Sequence, residues 1–457
     1  MTQNAPESAG NIVKFQISSN FTDYAVELSA GVVDFRYYEN VLSNSVTATA
    51  TLVETGYQAD DKGDAGGNQS TVDGLPIRGG ERTDITIEDA YGHELTFEEG
   101  LYVNRLRDVD AGTSKDVYFI DFASREFFAN EQTRVVKKYE GNIGDNVEKI
   151  LKDVLKVESD IDIDNTAVPY NFLGNDRKPF YVCTWLASKS IPEVTTEDGK
   201  SGKGGASGYL FFQTRDGYHF KSIDKTFTGE PKKKYIFNNS TNLPEGYDAK
   251  VLTYDINSDI DVGKNLMMGM YNNRSIFFNP LSFNYEVRSF PDTNTTPQIT
   301  EDTIPTEDEY LAKTQNAAEE PVGKLIPDEF RQSPTRFMSF VLDTGVMPSG
   351  ITSQDQLDTW SSEKAKDNFD VKETMVQSVM RYNQLFTVKT EITIPGDFTI
   401  KAGDLVQCDF PDLSGNESKD VNPETKGIYM VASVCHRITP SSSNTSLSLV
   451  RDSFGGK

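Results

Sequence analysis

The chain has 457 residues, long enough for about two to four domains, and a formal charge of −25 from 70 acidic against 45 basic residues. A hydrophobic share of 37%, with 27 Phe and 20 Tyr, excludes a disordered chain, and the acidic balance argues against a protein that grips phosphates through clustered Lys and Arg. No stretch approaches the roughly 20 apolar residues that cross a bilayer, and Met1 to Gly10 lacks the basic and apolar regions of a secretory signal, so the expectation is assembly in a cytoplasm-like compartment without membrane anchoring.

From about 11 to 125 the chain reads as strands. Val13, Phe15 and Ile17 alternate with polar neighbours, Val46 to Val53 is rich in Thr and Val, and Val117 to Phe122 is a core strand. Gln58 to Thr71, rich in Gly, Asp and Asn, reads as an excursion. From 126 to 245 the pattern turns to mixed α/β. Ile143, Val147, Ile150, Leu151, Val154 and Leu155 form one helical stripe. A second helix follows Asn175 and Asp176, with Pro179 in its first turn. Arg215-Asp216-Gly217 between the aromatic runs Tyr209 to Gln213 and Tyr218 to Ile223 predicts a hairpin whose glycine takes positive φ. Strands return over 250 to 290, Pro291 to Gly323 reads as an acidic linker, and Val371, Met375, Val379, Tyr382 and Phe386 predict an amphipathic helix before the closing strands.

Candidate chemistry fails at each constellation. Gly199-Lys200-Ser201 lacks the earlier glycine of a phosphate loop, since position 194 is Val, and it precedes a strand rather than a helix. Asp160, Asp162 and Asp164 mimic a calcium loop, but Asn165 and Asn171 stand where Gly and a bidentate Glu are needed; the alternation with Ile161 and Ile163 predicts an edge strand instead. His93, His219 and His436 are too few and dispersed for a metal centre, and Cys435-His436 point to opposite faces of a strand. Cys183, Cys408 and Cys435 read as small apolar residues. Paired acids such as Glu98-Glu99 are expected in so acidic a chain. No catalytic, cofactor-binding or metal-ligating residue is assigned, no cofactor is expected, and a binding site is left unassigned.

Two distant segments read alike. Leu75-Pro76-Ile77-Arg78-Gly79-Gly80-Glu81 is followed by strands at Asp84 to Ile87, Leu101-Tyr102-Val103 and Val117 to Phe122. Phe398-Thr399-Ile400-Lys401-Ala402-Gly403-Asp404 is followed by Leu405 to Cys408, Ile428-Tyr429-Met430 and Thr445 to Val450. Each copy sets an Ile, a basic residue, a Gly and an acid before a strand, which predicts a permissive turn entering a sheet edge. A duplicated chain assembled as a trimer presents six similar units, matching a threefold partner to a sixfold one.

The order of these segments resembles the baseplate hub of contractile-tailed bacteriophages and, more distantly, the hub half of type VI secretion spike proteins. The resemblance is carried by Val117 to Ser124, Asn130-Glu131, Arg134 to Tyr139, the helix Val147 to Leu155, Val168-Pro169-Tyr170, Trp185-Leu186-Ala187 and Tyr209 to Ile223, and then by Tyr382-Asn383, Ile400 to Asp404, Gly427 to Val431 and Leu447 to Val450. It implies an α+β, mostly β fold with two tube-like β-barrel domains and intervening α/β domains, assembling as a ring. The expected division is 1–125 for the first barrel, 126–245 for the α/β domain, 246–290 with 375–457 for the second barrel, and 291–374 for an acidic loop and inserted segment. The implied role is structural and not enzymatic: a homotrimer in the virion tail baseplate, assembled in host cytoplasm, that adapts the threefold central spike to the sixfold tail tube. The implied partners are the spike protein, a tail tube or tube-initiator protein and neighbouring wedge proteins, with DNA passing through during ejection without specific binding. The net charge adds the expectation of an acidic channel wall that repels phosphates. A tail-associated cell-wall hydrolase and an acidic host-surface binding module are the alternatives.

Overall fold

The computed structural model describes residues 10–21, 23–55, 71–75, 77–111, 115–195, 201–202, 207–227, 229–238, 242–257, 261–280, 283–290, 326–331, 334–342, 363–411, 421–422 and 425–452. The alternating residues expected near the N-terminus fall on six strands: β1 (Asn11–Ser18), β2 (Val32–Asn40), β3 (Thr47–Glu54), β4 (Arg82–Glu88), β5 (Leu101–Ala111) and β6 (Asp116–Ala123). They pair antiparallel in the order β1-β4-β5-β6-β3-β2. Period-two alternation puts Phe35 and Tyr37, Ala48, Ala50 and Leu52, and Tyr118, Ile120 and Phe122 on one buried face. The sheet rolls until its end strands touch, with the Phe15 and Phe35 rings 6.1 Å apart.

Between the two halves of the fold, helix α1 (Arg125–Gln132) leads to α2 (Ile143–Lys149), which continues as a π-helical turn over Ile150–Leu155. The expected stripe is buried at Ile143, Val147, Ile150, Leu151 and Leu155. Helix α3 (Pro179–Ala187) carries Pro179 in its first turn, where a missing N–H costs nothing. Strand β7 (Asp160–Ile163) lies parallel to β9 (Gly217–Ser222), which pairs antiparallel with β8 (Tyr209–Thr214). β7 is an edge strand with a half-exposed Asp/Ile alternation, as expected. Gly217 takes φ +146°, and a Cβ there would lie 1.9 Å from the Asp160 carbonyl oxygen, so the hairpin needs glycine.

The second rolled sheet uses β10 (Lys233–Ile236) and β11 (Thr253–Asn257) and, after a three-stranded sheet of β12 (Asn273–Asn279), β13 (Asn284–Phe290) and β14 (Arg336–Val341), the strands β15 (Val388–Pro395), β16 (Leu405–Asp409), β17 (Gly427–Ile438) and β18 (Ser443–Arg451). Its order is β10-β16-β17-β18-β15-β11. Helix α4 (Glu363–Leu385) connects the small sheet to it. The expected stripe of α4 is only half-buried at Met375, Val379 and Tyr382. Met375, Tyr382 and Phe386 of that stripe pack on the cores, and the helix also buries Val376, Gln377, Met380, Arg381 and Gln384, with Arg381 reaching a buried pair of carboxylates.

Among the described residues no closed barrel forms, in contrast to the tube-like barrels expected. In the first sheet both end edges are taken elsewhere: β1 pairs with the short strand Ala25–Glu27, and β2 pairs with β17 of the second sheet. The two rolled sheets are therefore one continuous hydrogen-bonded structure.

Candidate functional site: the seam between two matching sheets

Five strands of each sheet match in order and pairing, while the sixth differs, β1 running antiparallel to β4 and β10 parallel to β16. The series β2, β3, β4, β5, β6 pairs as β2-β3-β6-β5-β4, and the series β11, β15, β16, β17, β18 pairs as β11-β15-β18-β17-β16, every pairing antiparallel. The echoed turns agree in their hydrogen bonds. Gly80 N–H donates to Val103 O at 2.7 Å and Val103 N–H to Glu81 O at 2.9 Å; Gly403 N–H donates to Val431 O and Val431 N–H to Asp404 O, both at 2.8 Å. Gly80 and Gly403 sit at φ +83° and +88°. In each turn the acid folds back on the basic residue's amide, Arg78 N–H to Glu81 Oε1 at 2.8 Å and Lys401 N–H to Asp404 Oδ2 at 2.9 Å. One residue beyond the shared valine each strand carries a bulge, at Asn104 in β5 and at Ala432 in β17. Each sheet also brings an aromatic pair together across its end strands, Phe15 with Phe35 in the first and Phe237, just past β10, with Tyr254 at 4.5 Å in the second.

The seam is the antiparallel pairing of β17 with β2, from Ser433 opposite Asn40 to Ile438 opposite Phe35. Arg437 stands opposite Arg36, and Asp34 relieves the repulsion by accepting from both guanidinium Nε groups at 2.8 Å. On the core side Glu39 joins three parts of the molecule. It accepts from Tyr37 Oη and the Arg215 amide at 2.9 Å and from the Ala402 amide at 2.8 Å. Burial pushes its carboxyl above the usual range, and the two backbone donors pull the other way. His436 is buried against Tyr37 and Phe398, and burial lowers its pKa to about 3.

Asp89 fastens the same region. Its buried carboxylate accepts from the amides of Tyr91, His93 and Phe398 and contacts His93 Nδ1 at 2.9 Å. With Asp397 these side chains make a group that could hold a cation, so His93 is less isolated than its sequence position suggests; yet both Asp89 oxygens are already engaged by donors. His219 lies elsewhere, stacked on Phe212, and burial lowers its pKa. Cys435 and His436 do point to opposite faces, half-exposed and buried respectively.

The solvent face of the seam runs unbroken across both sheets. It presents Thr47, Thr49 and Thr51, then Tyr38, Ser433, Ser446 and Ser448, and then Thr393 and Thr253. Its acids Asp34, Asp121, Glu391 and Asp255 are matched by Arg36, Arg107, Lys389 and Arg437. The −25 charge is not concentrated here.

A cleft of about 490 Å³ between the first sheet and the α/β region gathers Glu98, Glu99, Glu126, Glu158, Asp160 and Asp216. Arg125 holds two of these carboxylates, Glu99 and Glu126, each at 3.2 Å. Gln213 Nε2 donates to Glu126, whose carboxyl burial raises. Gly199 and Lys200 lie outside the described residues, as does nearly all of 58–71 and the whole of 291–323. Sequence reasoning missed Glu39, Asp89 and Arg381. For Glu39 a signal exists: it shares the parity of Phe35 and Tyr37, so a core strand carries an acid on its buried face.

No protein-family model matches the sequence, and no curated protein matches it significantly. Among solved structures, the chain is similar to the tail protein from Neisseria meningitidis MC58, with a TM-score of 0.52 over 96% of each chain at 8% identity. The two share a fold. Weaker likenesses are to the prophage MuSo2 43 kDa tail protein from Shewanella oneidensis (TM-score 0.47, 8% identity, 96% of this chain and 98% of that one) and to the E. coli c3393 protein, a type VI secretion component similar to the T4 tail proteins gp27 and gp5 (TM-score 0.42, 9% identity, 97% and 79%).

Proposed function

We propose that this chain is the structural hub of a contractile-tail baseplate, acting by packing and matched symmetry rather than by catalysis. Three copies close a ring in which two rolled sheets per chain give six similar units. The ring seats a threefold central spike on one side and a sixfold tail tube or tube-initiator on the other, with wedge proteins around it. The observation that carries this reading is the paired topology, turn and bulge of the two sheets, fused in one seam. The likeness to a tail protein over 96% of both chains supports it.

In this reading the first unit spans 1–125, the α/β domain 126–245 and the second unit 246–290 with 375–457; β10 is contributed to the second unit from the α/β range. The seam's solvent face is the candidate channel wall. Its hydroxyls and balanced charges favour a neutral, non-adhesive lining over the acidic wall expected from net charge, since phosphate adhesion needs unpaired Lys and Arg.

Sedimentation of the purified chain tests the assembly: a mass near three times 50.9 kDa is expected. Electron microscopy of tails containing the chain then places it. A position off the tail axis overturns the hub reading. Lysis of cell walls by the purified chain would favour the hydrolase alternative.

A further inference from the structure

Resting on the ring reading, the duplicated topology leaves one seam unmade within the chain. β17 outruns β16, which it pairs only through Gly427 to Met430, and its released edge from Ser433 onward takes up β2. Its counterpart β5 likewise outruns β4, which it pairs only through Leu101 and Tyr102, and beyond the bulge that edge meets no strand among the described residues. The counterpart of β2 is β11. It pairs with β15 on one side and with no described strand on the other.

Burial marks the same two edges. Val434, His436 and Ile438 are buried in the seam, while Leu106 is half-buried and Asp108, Val109 and Asp110 are exposed on β5. Phe35 and Tyr37 are buried, while their counterparts Tyr254 and Ile256 are half-buried. We propose that β5 of one chain pairs antiparallel with β11 of a second copy, repeating between chains the seam that β17 and β2 make within one. The contact is head-to-tail, the kind that generates a ring when the rotation between copies closes.

The shared bulge sets the register. Arg107 lies three residues past Asn104, as Cys435 lies three past Ala432. Asn257 lies three past Tyr254, as Tyr38 lies three past Phe35. Cys435 is opposite Tyr38, so Arg107 of one chain faces Asn257 of the next. Asp255 then sits diagonally across from Arg107, within reach of a long side chain. Past Arg107 a second bulge, with Asp108 at φ +51°, ends the correspondence, so the joint is short. Charges on an edge also serve to block pairing, and a cross-link separates the two roles.

The test uses the full chain with Arg107→Cys and Asn257→Cys in a Cys435→Ser background that keeps the buried Cys183 and Cys408, each chain with only one of the two introduced cysteines as control, oxidised over a range of concentrations. Denaturing gels and sedimentation are read together. The double variant is expected to give a covalent trimer that the controls do not give. Three sedimenting copies without the link overturn the seam and leave the hub reading standing; a single copy at every concentration with no link overturns both. Because Arg107 also binds Asp121, a second variant avoids that pair: Asp255→Lys on exposed β11 is expected to weaken association about tenfold, near 1.4 kcal/mol, without moving the monomer's denaturation midpoint. Unchanged association overturns the seam.

Discussion

Glu39 accepts a hydrogen bond from the amide of Ala402, 363 residues further along the chain, at 2.8 Å. The same carboxylate holds the Arg215 amide and the Tyr37 hydroxyl, so one buried acid ties the first sheet, the second sheet's turn and the tip of the β8–β9 hairpin. Glu39→Ala strands three donors, each costing about 1–3 kcal/mol when buried and unsatisfied; a combined loss of roughly 3 kcal/mol is expected from urea denaturation. Glu39→Gln keeps one acceptor and turns an amide against another donor, so its loss is intermediate. A loss below about 1 kcal/mol for the alanine variant would show that these bonds form without consequence.

His436 makes stability depend on pH. Its folded value lies near 3 because burial disfavours the charged ring, while the unfolded ring titrates near 6.5. Between these values the unfolded state binds more protons, so stability is present above about pH 6.5 and is lost as pH falls towards 3. From pH 7 to pH 5 the loss is about 2 kcal/mol. Denaturation midpoints at the two pH values are expected to lie closer together in His436→Phe. An unchanged gap would assign the dependence to other groups.

Gly80 and Gly403 share a backbone conformation and differ in surroundings. A Cβ on Gly403 would meet Phe212 Cζ at 2.8 Å, whereas one on Gly80 would find Asn20 Nδ2 at 3.6 Å. Both alanine variants carry the positive-φ penalty of about 1 kcal/mol; Gly403→Ala adds overpacking of about 1–3 kcal/mol. Equal thermal shifts would contradict the docking of Phe212 on the turn.

Arg381 is fully buried between Asp224, at 2.6 Å, and Asp452, at 2.8 Å. Arg381→Ala leaves two carboxylates in the interior and is expected to cost about 3–5 kcal/mol. Replacing the whole group, with Arg381→Met, Asp224→Leu and Asp452→Leu together, should cost less than the single change. A larger cost for the triple variant would make the ion pairs net stabilising.

What the sequence disclosed was local. The stripe from Ile143 to Leu155, Pro179 in a first turn, the glycine at 217 and the Ile/Asp alternation at 160 to 163 each depend on neighbours within a few residues, and each stands in the fold. The echo was legible because a turn with positive φ demands Gly at 80 and at 403. Residues whose partners lie far away gave misleading signals. Arg381 on a helix reads as solvated until Asp224 and Asp452 are brought to it, so the buried polar face of α4 that it shares with Gln377 and Gln384 was not legible. The open ends of the sheets were hidden too, because β2 is claimed by β17, a strand almost four hundred residues later.

Strand β17 is a member of both sheets at once: its first residues pair with β16, its last with β2, and β18 lies along most of its other side. Tension drawn along this ribbon loads a row of amide bonds in shear together rather than opening them singly, beside the buried links from Glu39 to Ala402 and from Asp89 to Phe398. Among the described residues the two halves are thus joined by a shared strand rather than by a linker, so displacing one half drags on the other.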